Sequence, residues 1–480
     1  VVPLFSGLFG VAPAPKSSLM ALVANAGPLH WNRASALASA AVTSVLGLIT
    51  VWYLRRQCTL LLPVKRRCTD KEVLAEAEEV RRRYCLSEAG GFLPNDCLDR
   101  LPAEFDAWEA IASDLPRLNA SKALAARVEA LPVLKLGHHR SKEVLQRAYV
   151  LLGSLVHSYV HRHEVPWHCL EAGAVAETDG RSSCRKVPKA LAEPWLEVCQ
   201  LLRAPPVLTA AATDLWNWRK KDAALGFDPG NLEQRISLTG TSSERVFHMV
   251  PCAMQAAASE VVPKIFLADR LIVGKRQEEL ALLLLEVADV LGSFKNIFAQ
   301  IPKGVDPDVF YDIYRPLLNG FHPSGVIMEV ATAPDNVPDL KLESGGLMNQ
   351  CKGPSAGQSS VILMLDIFLS VSHLKAGAAF QDEMLMYMPA EHRQMLLDFS
   401  ARWQAVGGIP EFVRKCQAVE DVDELSQAYN ECVAALTELR RFHLATVRRY
   451  LMRTAKGTGA TTWRMLLQDM LDATQAALLR

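Results

Sequence analysis

The chain has 480 residues, half of them hydrophobic, enough to bury a large core in two or three domains. Lys plus Arg and Asp plus Glu both number 52, so no global field draws the chain to nucleic acid, and no nucleic-acid partner is expected. Eleven cysteines, an odd number with no Cys-x-x-Cys pair, argue against a disulfide framework or a zinc ribbon.

The charge balance hides an asymmetry. Seven basic residues precede the first acid, Asp70; less these seven, the remainder holds 45 basic against 52 acidic residues. Residues 1–69 are therefore a separate acid-poor segment. Within it, residues 34–54 are an uncharged run closed by Arg55 and Arg56. As a helix the run would span about 31 Å, close to a bilayer's hydrocarbon core of about 30 Å. Two readings are open: a membrane anchor, or a targeting peptide that is cleaved off. More basic residues follow the run than precede it, which puts an anchored body on the cytoplasmic side. The expected location is cytoplasm-facing, either membrane-anchored or organelle-targeted, with contact to membrane only through 34–54.

From Asp70 onward the apolar spacing is helical. It predicts helices over 72–84, 141–160, 206–222, 277–298, 359–374 and 463–479. Strand-like patches such as 326–330 are short and isolated, and no strand–helix alternation appears, so the expected class is all-α. Pro/Gly/Asn/Asp clusters mark loops at 90–95, 226–231, 321–325 and 333–358. The change from the 206–222 helix to the 226–243 loop divides the body into a smaller helical domain, 70–238, and a larger one, 239–480. A monomer is expected.

Several motifs carry chemistry. His157, His161, His163 and His168 crowd one region with an i, i+4 pair, but without the Glu of a His-Glu-x-x-His site; they read as a solvated, His-rich helix end. Phe310, Tyr311 and Tyr314 lie within a turn of Arg315, an aromatic platform beside a guanidinium, suited to a flat ring bearing a carboxylate. Gly353-Pro354-Ser355-Ala356-Gly357 matches the serine-hydrolase Gly-x-Ser-x-Gly pattern, yet lacks the preceding buried strand; a tight loop at a helix N-terminus reads better. Asp366 interrupts a buried apolar run and needs a cationic partner, for which Arg440 is the candidate; the alternative is a helix-edge carboxylate reaching water. His443 shares a helix face with Leu436, Leu439, Val447 and Tyr450, with Arg440 one turn before it. An imidazole in a dry helix face beside an arginine suits a haem iron and its propionates, although such a residue, taken alone, is more often a core histidine bonded to a carbonyl.

Taken in order, six motifs resemble the indoleamine 2,3-dioxygenase family from about Tyr84 to Arg480. Gly91-Phe92-Leu93-Pro94, then Leu101-Pro102 and Phe105 to Trp108, resemble its Gly-Phe-Ala-Leu-Pro region. Pro205-Pro206-Val207-Leu208 with Asn217-Trp218-Arg219-Lys220-Lys221-Asp222 is similar to its Pro-Pro-Ile-Leu and Asn-Trp-Lys-Lys-Lys-Asp. The segment 353–360 resembles Gly-Gly-Ser-Ala-Gly-Gln-Ser-Ser, Tyr387 to Arg393 resembles Tyr-Met-Pro-Pro-Ala-His-Arg, and Leu439 to Leu444 resembles Leu-Arg-Ser-Tyr-His-Leu. Gly457-Thr458-Gly459 corresponds to a Gly-Thr-Gly near the family's end.

The resemblance implies haem b held between two helical domains, its iron bound by His443 as proximal ligand. It implies O₂ and L-tryptophan or a related indoleamine as substrates, and opening of the indole at C2–C3 to N-formylkynurenine, the first step of the kynurenine pathway. No side chain is assigned as catalytic, because the cofactor carries the oxygen chemistry. Arg315 would hold the substrate carboxylate, Phe310 would pack on the indole, and Thr458 would lie near the ammonium. Ser355 and Ala356 would line the pocket, and Arg440 would meet a propionate or Asp366. The departures are distal: Ala210, Thr213 and Asp214 stand where the family has Tyr, Cys and Val, and Val246 and Val250 stand for Phe and Ser. Losing one aromatic wall removes roughly 4 kcal/mol of contact at about 25 cal/mol per Å². Asp214 either recognises a polar ring substituent or faces away. Two other classes stay in view: a haem-binding sensor or pseudoenzyme with an altered distal pocket, and a serine hydrolase using Ser355.

Overall fold

A computed structural model describes residues 71–165, 186–321, 325–330, 340–343, 346–417, 423–453 and 462–479. The run 34–54 and Thr458 lie outside them. Within the described residues, twelve helices have eight residues or more: α1 (Lys71–Tyr84), α2 (Asp106–Ser113), α3 (Lys142–His161), α4 (Lys189–Leu202), α5 (Ser242–Ala257) and α6 (Gln277–Phe298), then α7 (Ser360–Phe368), α8 (Lys375–Leu385), α9 (Ala390–Val406), α10 (Gly408–Gln417), α11 (Asp423–Leu451) and α12 (Trp463–Ala476). The fold is all-α in character, as the apolar spacing predicts. None of these helices is long and apolar enough to cross a membrane.

Local sequence sets the starts. Ser141 caps α3, its hydroxyl accepting from the Val144 N–H, and Thr241 caps α5 by accepting from the Glu244 N–H. Thr241-Ser-Ser-Glu244 fits the capping-box spacing, but the buried Glu244 carboxylate turns to Leu238 and Thr239 N–H (2.8 Å each), tying the preceding loop onto α5.

Two apolar cores hold the helices. The first gathers Trp108, Tyr149, Trp195, Leu208, Val250, Phe310 and Tyr314 around α3, α4 and α5. The second gathers Leu283, Phe294, Phe368, Phe399, Tyr429 and Leu436 from α6, α7, α9 and α11, and it also takes in α1. Burying one such side chain fully is worth about 1.5–3 kcal/mol. The chain lies in the second core from Val73 to Phe92, runs through the first from Leu93 to Ala256 and crosses back to the second. It returns to the first at Ile301, crosses again at Val361, and meets the first once more at Phe380 to Tyr387 and at Tyr450. The two longest helices, α6 and α11, lie along each other.

Three expectations change. The 206–222 segment is not one helix: after Pro205-Pro206 it forms a π-helical turn, Ala211–Leu215, and then β2 (Trp218–Lys220), which pairs antiparallel with β3 (Leu232–Gln234). The strand-like 326–330 patch is not isolated. β4 (Val326–Met328) is flanked by β1 (Lys186–Val187), parallel to it, and by β6 (Gly346–Asn349), which pairs in turn with β5 (Leu340–Glu343), so part of the predicted 333–358 loop is sheet. The helix expected over 359–374 stops at Phe368, with Ser370 in the left-handed region at φ 52°. Beyond the break, His373 folds back onto Asp366.

Candidate active site

The segment 205–210 is laid over α3 by buried polar groups. The Tyr149 hydroxyl reaches the carbonyls of Pro205 and Val207 at 3.0 and 2.9 Å. His157 accepts from the Leu208 N–H at Nε2 (2.8 Å), so its Nδ1–H donates to the Leu317 carbonyl (3.1 Å). His157 and His161 are therefore core residues, which corrects the solvated-end reading for these two: α3 is buried from Leu145 to His161, whereas His163, just past its end, is exposed. Burial pushes the His157 pKa down to about 3, with His161 beside it adding to the effect. His168 lies outside the described residues.

A second cross-link brings the Ser355 loop to the same place. Gly353 and Gly320 cross backbone to backbone, and a Cβ at Gly353 would stand 2.0 Å from the Leu318 carbonyl oxygen. Only glycine fits so close an approach. Gln358 then donates to the Gly353 carbonyl (3.0 Å) and accepts from the Ala210 N–H (2.8 Å), while Gln255 of α5 donates to the Ser359 hydroxyl (3.1 Å). The loop 353–360, the 210–215 turn, α5 and the Arg315 turn are thus fixed to one another.

Ser355 is half-buried and Ala356 exposed. The Ser355 hydroxyl accepts from the Gly357 N–H (3.3 Å), capping a short turn, and no histidine touches it among the described residues. The strand before it, β6, pairs antiparallel with both its neighbours. Neither the base nor the parallel sheet of a nucleophile elbow is found in this region.

Phe310, Tyr311 and Tyr314 do not form one platform. They belong to a second π-helical turn, Val309–Tyr314, which sends Phe310 and Tyr314 inward and Tyr311 outward. Phe310 packs against Phe247 (ring centroids 4.8 Å) and Tyr450 (5.6 Å). Tyr311 has the guanidinium of Arg315 at 5.5 Å and that of Arg453 at 5.3 Å from its centroid. Arg453 also pairs with Asp308 and Asp312. Arg315 is half-buried, and burial lowers its pKa. Of the distal candidates, Val250 is fully buried, Val246 rests on Gly304, and Ala210 and Asp214 keep some accessible surface.

Asp214 joins a polar chain that sequence reasoning missed. His248 of α5 donates from Nδ1 to Asp214 Oδ1, because a carboxylate only accepts, which leaves Nε2 to take the Tyr314 hydroxyl proton. The Thr213 hydroxyl adds a bond to the same Asp214 oxygen at 2.9 Å. Burial pushes the Tyr314 phenol well above its usual pKa, so it stays a donor. A histidine on the apolar face of α5 was the available signal.

Further along the chain, α11 carries His443. Its ring packs against Phe298 (5.5 Å) at the end of α6, and Tyr450, two turns on, reaches the Ile301 and Val305 carbonyls. Burial, with Arg440 adding to it, pushes the His443 pKa down to about 4, so its lone pair is free near neutral pH. The imidazole keeps some accessible surface, and its nitrogens have no hydrogen-bond partner among the described residues. No group of three His, Cys, Asp or Glu able to hold a metal occurs among those residues either. A single imidazole is the protein ligand that a porphyrin-bound iron takes, so His443 fits haem.

Behind His443, Arg440 Nη2 donates to both oxygens of Asp366 (2.7 and 2.6 Å), while Nη1 bonds Thr474 and the Met470 carbonyl. His373 (3.0 Å) and Gln381 (2.7 Å) complete the Asp366 shell. Burial raises the Asp366 pKa, but Arg440 and His373 outweigh it and hold the carboxyl below its usual range. Arg440 is thereby committed to clamping α7, α8, α11 and α12.

Comparison with known proteins identifies the family. A model of the indoleamine 2,3-dioxygenase family matches residues 80–477. The chain is 30% identical to indoleamine 2,3-dioxygenase 1 of Rattus norvegicus over 85% of its own length and 98% of the relative's. It is 28% identical to a 6-hydroxytryptophan 2,3-dioxygenase of Fusarium equiseti, over 78% of this chain and 86% of that one. It is also 28% identical to a protein called myoglobin from Haliotis madaka, over 78% and 89% of the two chains.

Proposed function

Because the chain belongs to the indoleamine 2,3-dioxygenase family and is an oxidoreductase of the dioxygenase type, we propose that it inserts O₂ across the C2–C3 bond of L-tryptophan or a close indoleamine, giving N-formylkynurenine. The observation that carries the reading is His443: an imidazole packed on Phe298, whose nitrogens have no protein partner among the described residues. Haem b, when bound, supplies the iron chemistry that activates O₂. The chain's own residues bind and orient. His443 would hold the iron, and the Arg440–Asp366 clamp fixes the helix that presents it. Arg315, beside Tyr311, would take the substrate carboxylate in a bidentate pair, and Phe310 would pack on the indole. Phe247 and Tyr450, which flank Phe310, keep that side of the site dry.

The test is holoprotein with ascorbate, methylene blue and L-tryptophan, read by growth of formylkynurenine absorbance. A second reading, a haem protein without indole turnover, is favoured by the likeness to the relative called a myoglobin; full haem occupancy with no product from any indole would establish it. Arg315→Ala is expected to weaken tryptophan by about 1.5–3 kcal/mol, the worth of a charge-assisted bond, while tryptamine, lacking the carboxylate, changes little. Equal losses would remove Arg315 from this role.

A further inference from the structure

Asp214, His248 and Tyr314 come from three separate elements: the first π-helical turn, α5 and the second π-helical turn. Their neighbours in the first core are apolar, including Ala211, Leu215, Met249, Val250 and Phe310. An ionised carboxylate in such surroundings costs several kcal/mol unless its hydrogen bonds are supplied. Oδ1 is fully supplied, by His248 Nδ1 and the Thr213 hydroxyl. Oδ2 has no protein partner among the described residues, and the Asp214 side chain keeps 16% of its surface against 3% for His248. Both π-helical turns carry candidate site residues, Ala210 leading into the first and Phe310 within the second, with Arg315 directly after it. Such turns recur where a helix must aim side chains at a ligand.

We propose that the free Asp214 oxygen is an acceptor for a hydrogen-bond donor on the substrate's indole ring system, either the ring N–H or a hydroxyl on the benzo ring. His248 and Tyr314 are positioning residues. Tyr314 fixes His248, and His248 fixes the carboxylate so that one oxygen is spent inside the protein and the other is left for the ligand. The proposal rests on the dioxygenase reading for its choice of ligand.

The test uses calorimetric binding to the purified holoprotein with four probes: L-tryptophan, 5-hydroxytryptophan, 6-hydroxytryptophan and N1-methyltryptophan, the last lacking both donors. Asp214→Asn keeps an acceptor for His248 and places a donor where the free oxygen was. It is expected to weaken at least one donor-bearing probe tenfold or more relative to N1-methyltryptophan. If the ring N–H is the donor, tryptophan itself weakens; if a hydroxyl is, only hydroxylated probes do. Tyr314→Phe is expected to shrink the same ratio about threefold, a change in selectivity that a general loss of stability would not produce. If the Asp214→Asn ratios stay those of the wild type, or all four probes change by one factor, the proposal is overturned. Failure to take up haem would sink the dioxygenase reading and this proposal with it, whereas unchanged ratios in haem-loaded protein would overturn this proposal alone.

Discussion

Arg440→Met tests whether the clamp behind His443 holds the site together. Asp366 is 2% exposed and receives bonds from Arg440, His373 and Gln381. Methionine fills much of the arginine's volume but leaves the carboxylate without its cation. Removing one partner of a buried ion pair costs about 3–5 kcal/mol, and the two remaining donors put this case near 3. Asp366→Asn leaves Arg440 with the Thr474 hydroxyl and the Met470 carbonyl, so about 2 kcal/mol is expected there. The double variant has no uncompensated charge. It should lose no more than the Arg440→Met single, a coupling of about 2 kcal/mol. Urea unfolding followed by circular dichroism measures all three, and haem dissociation from each should accelerate in the same order, because Arg440 lies one turn from His443. Additive losses, or a drop below about 1 kcal/mol for Arg440→Met, would refute the clamp.

Two further outcomes follow from the same geometry. Burial pushes the pKa of His157 and His392 to about 3 and that of His443 to about 4, all below the ordinary 6.5. Each folded-state value lies below the unfolded one, so stability is complete above about pH 6.5 and falls as the unfolded chain gains protons. Three such groups give a slope of up to about 4 kcal/mol per pH unit between about 6 and 4; urea midpoints that stay flat over that range would contradict the burial of these imidazoles. Gly353→Ala should prevent stable folding, because its Cβ meets the Leu318 backbone at 2.0 Å, whereas Gly357→Ala meets only the Phe380 ring and Met384 side chain, which can shift. Limited proteolysis of the two variants compares them, and equal resistance would mean the backbone crossing is not tight.

The helical class and α1, α3, α6 and α12 were legible because their apolar spacing is strong and uninterrupted. The Arg440–Asp366 pair was legible too, since a carboxylate inside an apolar run demands a cation and Arg440 sits one turn from His443. Long-range closure was not. Nothing near Asp366 in sequence signals that the helix breaks after Phe368 so that His373 can return to it. The 206–222 segment has helical spacing, but Trp218 to Lys220 are recruited into pairing with β3. Asp214 was noticed as a departure, whereas His248 and Tyr314 gain meaning only when α5 sets them beside it. His157 shows the converse, a histidine-rich turn whose setting is decided by the burial of the whole helix around it.

Whether a single imidazole on α11 holds the iron of a haem is decided by haem titration of wild type and His443→Ala, read by Soret absorbance. One haem per chain with one histidine ligand is expected in the wild type, and loss of stable uptake in His443→Ala, with circular dichroism unchanged. A wild-type chain that takes up no haem, or a His443→Ala chain that binds it equally well with the same spectrum, would contradict it.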